Sequence, residues 1–455
     1  MTHDLTSGKP MARIIQFTIP VLLGLLLQQV YSVVDTAIVG HALGVMALGG
    51  VGATASVNFL VIGFCNGLCT GMSIPLAQSF GAGDHRQLRR YLGNCVWLGV
   101  IVSAALLALT LPTCRSLLEL METPAEQLDY AFAYIFIIFC GIPTTILYNL
   151  SACVLRSLGD SKSPVWFLAL ASLVNIVLDL LTVCVMNMGV AGAAIATVVS
   201  QLVSGLLCVW YMQKRFPILH MEKDEWKLRK EESLRLLGMG VPVGLQFSIT
   251  AIGSVLLQSA VNALGPVCVA GNAAASKLFQ LFCCPYDALA MTATSFTGQN
   301  LGAGKYDRIR QGTVACTLIG LCYCAMHVLL ALFGTRFAIW IFMSAEEAQT
   351  VLAYTQQMCN YVAFFSPLLL LVNVFRLSIQ GMGYSRAALC AGVMEMIART
   401  TMSLWAVPHF GYTAACLAGP LAWLFADLFL VPAYFACLRA RERQAAEARA
   451  IAAEK

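Results

Sequence analysis

Charge is what this chain has least of. Asp, Glu, Lys and Arg make up 11% of its 455 residues, less than half the share of about 25% in a soluble domain. With 59% apolar residues and a mean hydropathy of +0.77, that shortage excludes an ordinary soluble fold and indicates a polytopic membrane protein. The formal net charge of +5 is spread over short loops, so no nucleic-acid footprint is present and no nucleic-acid partner is expected. No GxxxxGK[ST] loop, HExxH pair or GxSxG elbow occurs, which leaves neither a nucleotide-driven pump nor an enzyme in view. Cysteine is plentiful at 18 residues, yet no CxxC occurs. Cys283-Cys284 and Cys322/Cys324 lack metal-ligand spacing, so the cysteines read as small packing residues. The first apolar run is too long for a signal-peptide core and has no small-residue cleavage site, so it is expected to be a retained helix.

A membrane-spanning helix needs about 20 apolar residues. Polar breaks divide the chain into twelve such runs: 13–40, 47–80, 91–112, 130–155, 164–186, 190–213, 234–262, 267–300, 311–333, 351–380, 386–408 and 412–438. Basic residues gather before the first run, in alternate loops and after the last run. The opposite loops hold Arg115 and Arg336 among the acids Glu119, Glu122, Glu126, Glu346 and Glu347. The excess of Lys and Arg marks the cytoplasmic side, so both termini are expected there.

The chain also repeats itself. Gln78-Ser-Phe-Gly-Ala-Gly-Asp84 returns as Gln299-Asn-Leu-Gly-Ala-Gly-Lys305, Arg156-Ser-Leu-Gly159 as Gln380-Gly-Met-Gly383, and Ile19-Pro20-Val21 as Val241-Pro242-Val243. The fold expected is all-α, with an N-lobe over 1–212, a charged linker over 213–233, a C-lobe over 234–438 and a cytoplasmic tail over 439–455. Six spans per half preserve orientation, as in parallel transporter repeats. The linker reads as a solvated connector with room for a short amphipathic helix around Trp226 and Leu228. Pro20 and Pro242 are expected to bend their spans.

Two aspartates stand out. Asp35 and Asp179 each lie inside an apolar run, where a carboxylate costs about 2.5–3.5 kcal/mol on insertion scales. An intramembrane carboxylate is by default an ion or proton site. Asn175 and Asp179 are four apart and share a helix face. The second half carries Glu395 and Arg399, also four apart, with Asp427, Arg376 and Lys277 as candidate companions. Asp287, beside Pro285, is a weaker candidate. Glu395 and Arg399 read either as a neutralising ion pair or as a second titrating or substrate-contacting site.

Val34-Asp-Thr-Ala-Ile-Val-Gly40, the two Gln-x-x-Gly-Ala-Gly segments, Arg156-Ser-Leu-Gly-Asp160 and Asn175-Ile-Val-Leu-Asp179 together resemble the prokaryotic multidrug and toxic compound extrusion (MATE) transporters, members of a wider flippase superfamily. The resemblance runs through nearly the whole chain, in order, in both halves. It implies two six-helix lobes around a central cleft and export of drugs or metabolites, often cationic amphipaths, driven by proton or sodium entry. It also implies an N-lobe cation site of Asp35, Asn175, Asp179 and Thr197, which would hold Na+ in a sodium-coupled member, with Tyr134 and Asn149 in the same hydrogen-bonded network. The helix-7 glutamate of another branch is missing, since that span reads Gln246-Phe-Ser-Ile-Thr250. No cofactor is expected beyond the coupling ion, and the working form is expected to be a monomer in a bacterial cell membrane. A lipid-linked saccharide flippase and a non-transporting sensor or scaffold are the competing functions. A flippase for pyrophosphate lipids would call for more Arg and Lys inside the spans.

Overall fold

Hydrocarbon offers a backbone no hydrogen bonds, so a spanning segment must satisfy its own amides, and the α-helix does so locally. The computed structural model describes residues 4–121, 123–341 and 345–453 and contains helices and no strand among them. Glu122 of an acidic loop and the last two residues of the tail lie outside the described residues.

The first half runs α1 (Pro10–Ala53), α2 (Ala55–Gly81), α3 (His85–Leu120), α4 (Ala125–Cys140), α5 (Ile142–Ser157), α6 (Lys162–Asp179) and α7 (Val190–Arg215). The second runs α8 (Lys230–Asn262), α9 (Pro266–Gly302), α10 (Tyr306–Leu329), α11 (Thr335–Ala338), α12 (Ala345–Phe364), α13 (Ser366–Gly381), α14 (Ser385–Thr401), α15 (Val407–Phe410) and α16 (Tyr412–Ala453). Among the described residues nine helices are long and apolar enough to cross a membrane. Two more spans are bent pairs, α4–α5 at 50° and α12–α13 at 52°. The remaining expected span, 386–408, is α14 continued through a π-helical turn at Met402–Ala406 into α15. Trp166, Phe333 and Leu404 are each at least 70% exposed, as side chains facing lipid would be.

Pro20 and Pro242 lie inside α1 and α8, and α1 has its one non-helical residue at Gly44. The breaks fall where Pro143 and Pro367 occupy the first turns of α5 and α13, positions at which a missing N–H costs little. These two prolines are themselves a repeat pair. So are eight of the nine positive-φ glycines among the described residues, all but Gly8; they pair as Gly44/Gly265, Gly83/Gly304, Gly159/Gly383 and Gly189/Gly411. Gly83 and Gly159 supply the left-handed turns that end α2 and α5. Asp84 then caps α3 by accepting from the Gln87 N–H at 2.9 Å, and Asp160 accepts from the N–H groups of Lys162 and Ser163. The glycine-rich motifs are therefore helix punctuation.

The chain divides into two compact units that do not coincide with the sequence halves. The first is built on Leu23–Ser248 and the second on Leu5–Leu22 with the chain from Ile249 onward. Each unit thus holds the opening segment of a helix whose remainder belongs to the other. In the first unit the opening of α8 is held by a glycine seam. Gly67 and Gly71 of α2 face Gly240 and Gly244 of α8, and a Cβ built on Gly71 would stand 2.6 Å from the Gly240 Cα. Two GxxxG faces let the backbones approach this closely, which is how membrane helices gain packing without a hydrophobic drive. In the second unit the pseudo-equivalent contact is polar, with the hydroxyls of Thr18 on α1 and Thr292 on α9 hydrogen-bonded at 2.9 Å.

The linker is not a free connector. It holds a 3-10 turn at Pro217–Leu219 and no α-helix around Trp226, and it is clamped to α3. The Arg89 Nε–H donates to Glu225 at 2.8 Å, and the Trp97 indole donates to the Trp226 carbonyl at 2.8 Å. Asn94 serves as a hub whose Oδ1 accepts from the Arg229 N–H and the Ser233 hydroxyl. The tail likewise continues α16 rather than leaving it, with Arg441 donating to the Met382 carbonyl.

Candidate functional site

Within the first unit, α1 supplies Asp35, α6 supplies Asn175 and Asp179, and α4 supplies Tyr134. Asp179 closes α6, and the next residues, Leu180–Val185, form a π-helical turn whose wider loop ends with the Met186 N–H on the Leu181 carbonyl at 2.8 Å. Such turns often mark functional positions in helices. Asp179 and Asn175 are fully buried, at 0% and 2% exposure.

The Asp35 and Asp179 carboxyl groups lie within hydrogen-bonding reach of each other. Among the described residues neither Asp179 oxygen has a donor, and Asp35 Oδ1, Asn175 Oδ1 and Asn175 Nδ2 are likewise buried without partners. Two ionised carboxylates are acceptors and cannot bond to one another. A proton or a small cation between them resolves the conflict. The donor set is hard oxygen, suited to H+ or Na+. No group of three or more His, Cys, Asp or Glu gathers among the described residues.

Tyr134 is buried beside both aspartates. Tyr31 was not anticipated. It stands one turn before Asp35 on α1 and close to it. The tyrosine–aspartate spacing of four was the signal available for it. Thr197 and Asn149 are not joined to the aspartates by any described hydrogen bond. The Thr197 hydroxyl donates to the Ala193 carbonyl at 3.0 Å and the Asn149 amide to the Thr145 carbonyl at 2.8 Å, each on its own helix.

In the second unit Glu395 is shared by two arginines. Arg376 of α13 makes the direct ion pair, and Arg399, the partner suggested by sequence spacing, is secondary at 3.7 Å. Asp427 on α16 is buried near Arg376, yet neither of its oxygens is hydrogen-bonded. Asp287 accepts from the Asn373 amide at 3.4 Å. Lys277 is exposed and makes no ion pair among the described residues, so it does not join this cluster.

The MatE family profile matches residues 20–181 and 242–405, one block for each sequence repeat. The chain belongs to the MatE family. It is 31% identical over 417 residues to the probable multidrug resistance protein YpnP of Bacillus subtilis, covering 90% of this chain and 89% of that one. It is 25% identical over 368 residues to a FAD transporter of Shewanella oneidensis, covering 80% and 79%. A crystal structure of MATE in complex with MaL6 superimposes with a TM-score of 0.88 at 22% identity, over 97% of this chain and 100% of that one. MatE proteins are transporters rather than enzymes, and this member has their twelve-helix, multi-pass architecture.

Proposed function

We propose that this MatE transporter is a cation-coupled antiporter, driven by H+ or Na+, that exports drugs or metabolites, organic cations foremost, by alternating access. The observation that carries the reading is the Asp35–Asp179 carboxyl pair, in which Asp35 Oδ1 and both Asp179 oxygens are buried with no hydrogen-bond donor among the described residues. A coupling ion shifts a conformational balance only if it binds the two states unequally. A site assembled from α1 and α6 does so whenever the two carboxyls separate, because each then regains water or another partner and releases the ion. Asn175, Tyr134 and Tyr31 adjust the site's affinity. The chain works as a monomer in the cytoplasmic membrane, with both termini and the 213–233 linker on the cytoplasmic side.

Transport by the purified chain in proteoliposomes, with sodium and pH gradients imposed separately and ethidium as the cationic probe, tests the mechanism. One gradient is expected to drive uphill movement, and movement indifferent to both would overturn it. Labelling a cysteine at Lys223 in a cysteine-free background tests the topology, and modification from outside would reverse it.

A further inference from the structure

The first unit carries a second concavity, away from the carboxyl pair. It is a groove of about 760 Å³ with α5 as its floor and α3 and α7 as its walls. Ile146, Leu147 and Leu150 form the floor, with Val96 and Val100 on one wall and Val209 on the other. Along α3 the lining extends from Leu92 to Leu107, about 22 Å at 1.5 Å per residue, longer than the ~15 Å half-thickness of a bilayer core. One end is closed by the linker, through Leu219, His220, Met221 and Trp226.

That closed end has the chemistry of a membrane–water boundary. Trp97, Trp210 and Trp226 are all exposed there, as interfacial tryptophans are, and the Lys214 ammonium sits over the Trp210 ring at 5.0 Å. Two of the three acids beside the groove are already engaged. Glu225 is held by Arg89, and Asp224 by Lys227 and Arg229. Lys214, Arg215 and Lys223 are exposed and have no ion pair among the described residues, against one unpaired acid, Glu222, in the same stretch.

We propose that this groove binds one anionic phospholipid from the leaflet on the linker side, an acyl chain lying along α5 and the phosphate held by Lys214, Arg215 and Lys223. An acyl chain gains nothing from leaving water when it moves from bilayer to groove, because it was never in water. Selection therefore falls to the headgroup, where a basic residue at the surface favours an anionic lipid about fivefold. The site is independent of which ion drives transport.

The test is electron spin resonance of the full chain in phosphatidylcholine vesicles doped with chain-labelled phosphatidylglycerol or chain-labelled phosphatidylcholine. A motionally restricted population with a preference of about fivefold or more for phosphatidylglycerol is expected. The substitutions Lys214→Gln, Arg215→Gln and Lys223→Gln together should erase the preference while leaving the fold intact, since all three side chains are exposed. Filling the groove with Val100→Trp or Ala104→Trp should remove the phosphatidylglycerol-preferring part of that population. Equal association of the two lipids, or a preference that survives the triple substitution, would reduce the groove to ordinary annular lipid and overturn the proposal. Displacement of the labelled lipid by ethidium at equal concentration would also overturn it, by assigning the groove to an amphipathic substrate.

Discussion

Asp35 of α1 and Asp179 of α6 bring two carboxyl groups together inside the membrane-spanning part of the first unit, with no donor among the described residues for Asp35 Oδ1 or for either Asp179 oxygen. Asp179 holds its side of the pair at the last α-helical residue before a π-helical turn. Neutralising either aspartate to Asn supplies an amide donor and removes the need for a proton or ion. Asp35→Asn and Asp179→Asn are therefore expected to reach normal membrane levels and to lose gradient-driven efflux, while binding of the probe weakens less than its transport. Full uphill export by a folded double mutant would move coupling elsewhere.

Asn175 leads to a separable expectation. Both polar atoms of its amide are buried without partners, and each such atom costs about 1–3 kcal/mol in desolvation. Asn175→Leu should leave thermal stability unchanged or raise it when no coupling ion is present. If sodium is the ion, added Na+ should raise the Tm of the parent protein and not that of the variant, because only the parent gains by mass action.

The Glu395 triad should behave in the opposite way. Removing the carboxylate strands Arg376 and Arg399 in low dielectric, so Glu395→Gln is expected to cost about 3–5 kcal/mol. Adding Arg376→Met should recover most of that loss in thermal unfolding, whereas Arg399→Gln, at the longer 3.7 Å contact, should cost much less. Stable single variants that cannot transport would instead assign the cluster a direct part in transport.

The glycine seam tolerates no side chain. A methyl group on Gly71 would meet the Gly240 backbone, so Gly71→Ala is expected to destabilise by about 1–3 kcal/mol through overpacking. On the counterpart seam Thr18→Ala removes one hydrogen bond and should cost about 1 kcal/mol. Equal effects in denaturation of the detergent-solubilised protein would contradict the difference between the two seams.

The linker clamp has a defined pH response. Hydrogen bonding and the charge of Arg89 hold the Glu225 carboxyl below its ordinary value of 4.5. A carboxyl depressed in the folded state stabilises fully above its unfolded value and loses that contribution as the pH falls through the folded one. A spin label at Lys223→Cys should thus stay immobilised near neutral pH and gain mobility only below about pH 4.5. With Glu225→Gln it should be mobile at every pH.

Much of this was legible in the sequence for a physical reason. A charge inside an apolar run is conspicuous because burial makes it costly, so Asp35, Asp179, Glu395 and Asp427 declared themselves, and Asn175 followed from helical spacing. What escaped was set by packing between distant segments. Arg399 was the obvious partner of Glu395 on its own helix, yet Arg376, 19 residues away on α13, makes the closer pair. Thr197 and Asn149 donate to carbonyls one turn earlier on their own helices, which leaves their oxygens able to accept or to coordinate. The linker looked solvated because it is charged, and the pairing of Glu225 with Arg89 depends on α3 passing beneath it. The breaks of the two bent spans fall at Pro143 and Pro367, which sit where a new helix starts.

The exchanged helix openings bear on how such a chain can be divided. A cut at the 213–233 linker separates the two sequence repeats but not the two compact units, because Leu5–Leu22 stays with the wrong fragment, and so does the stretch from Lys230 to Ser248. This is domain swapping carried out within one polypeptide. Each fragment would carry the plug for the other's vacancy, so neither should reach a native state alone. The two expressed together should reassemble by trading those segments. A duplication that began as two separate proteins would have been bound by the same exchange, each copy dependent on the other before one gene joined them.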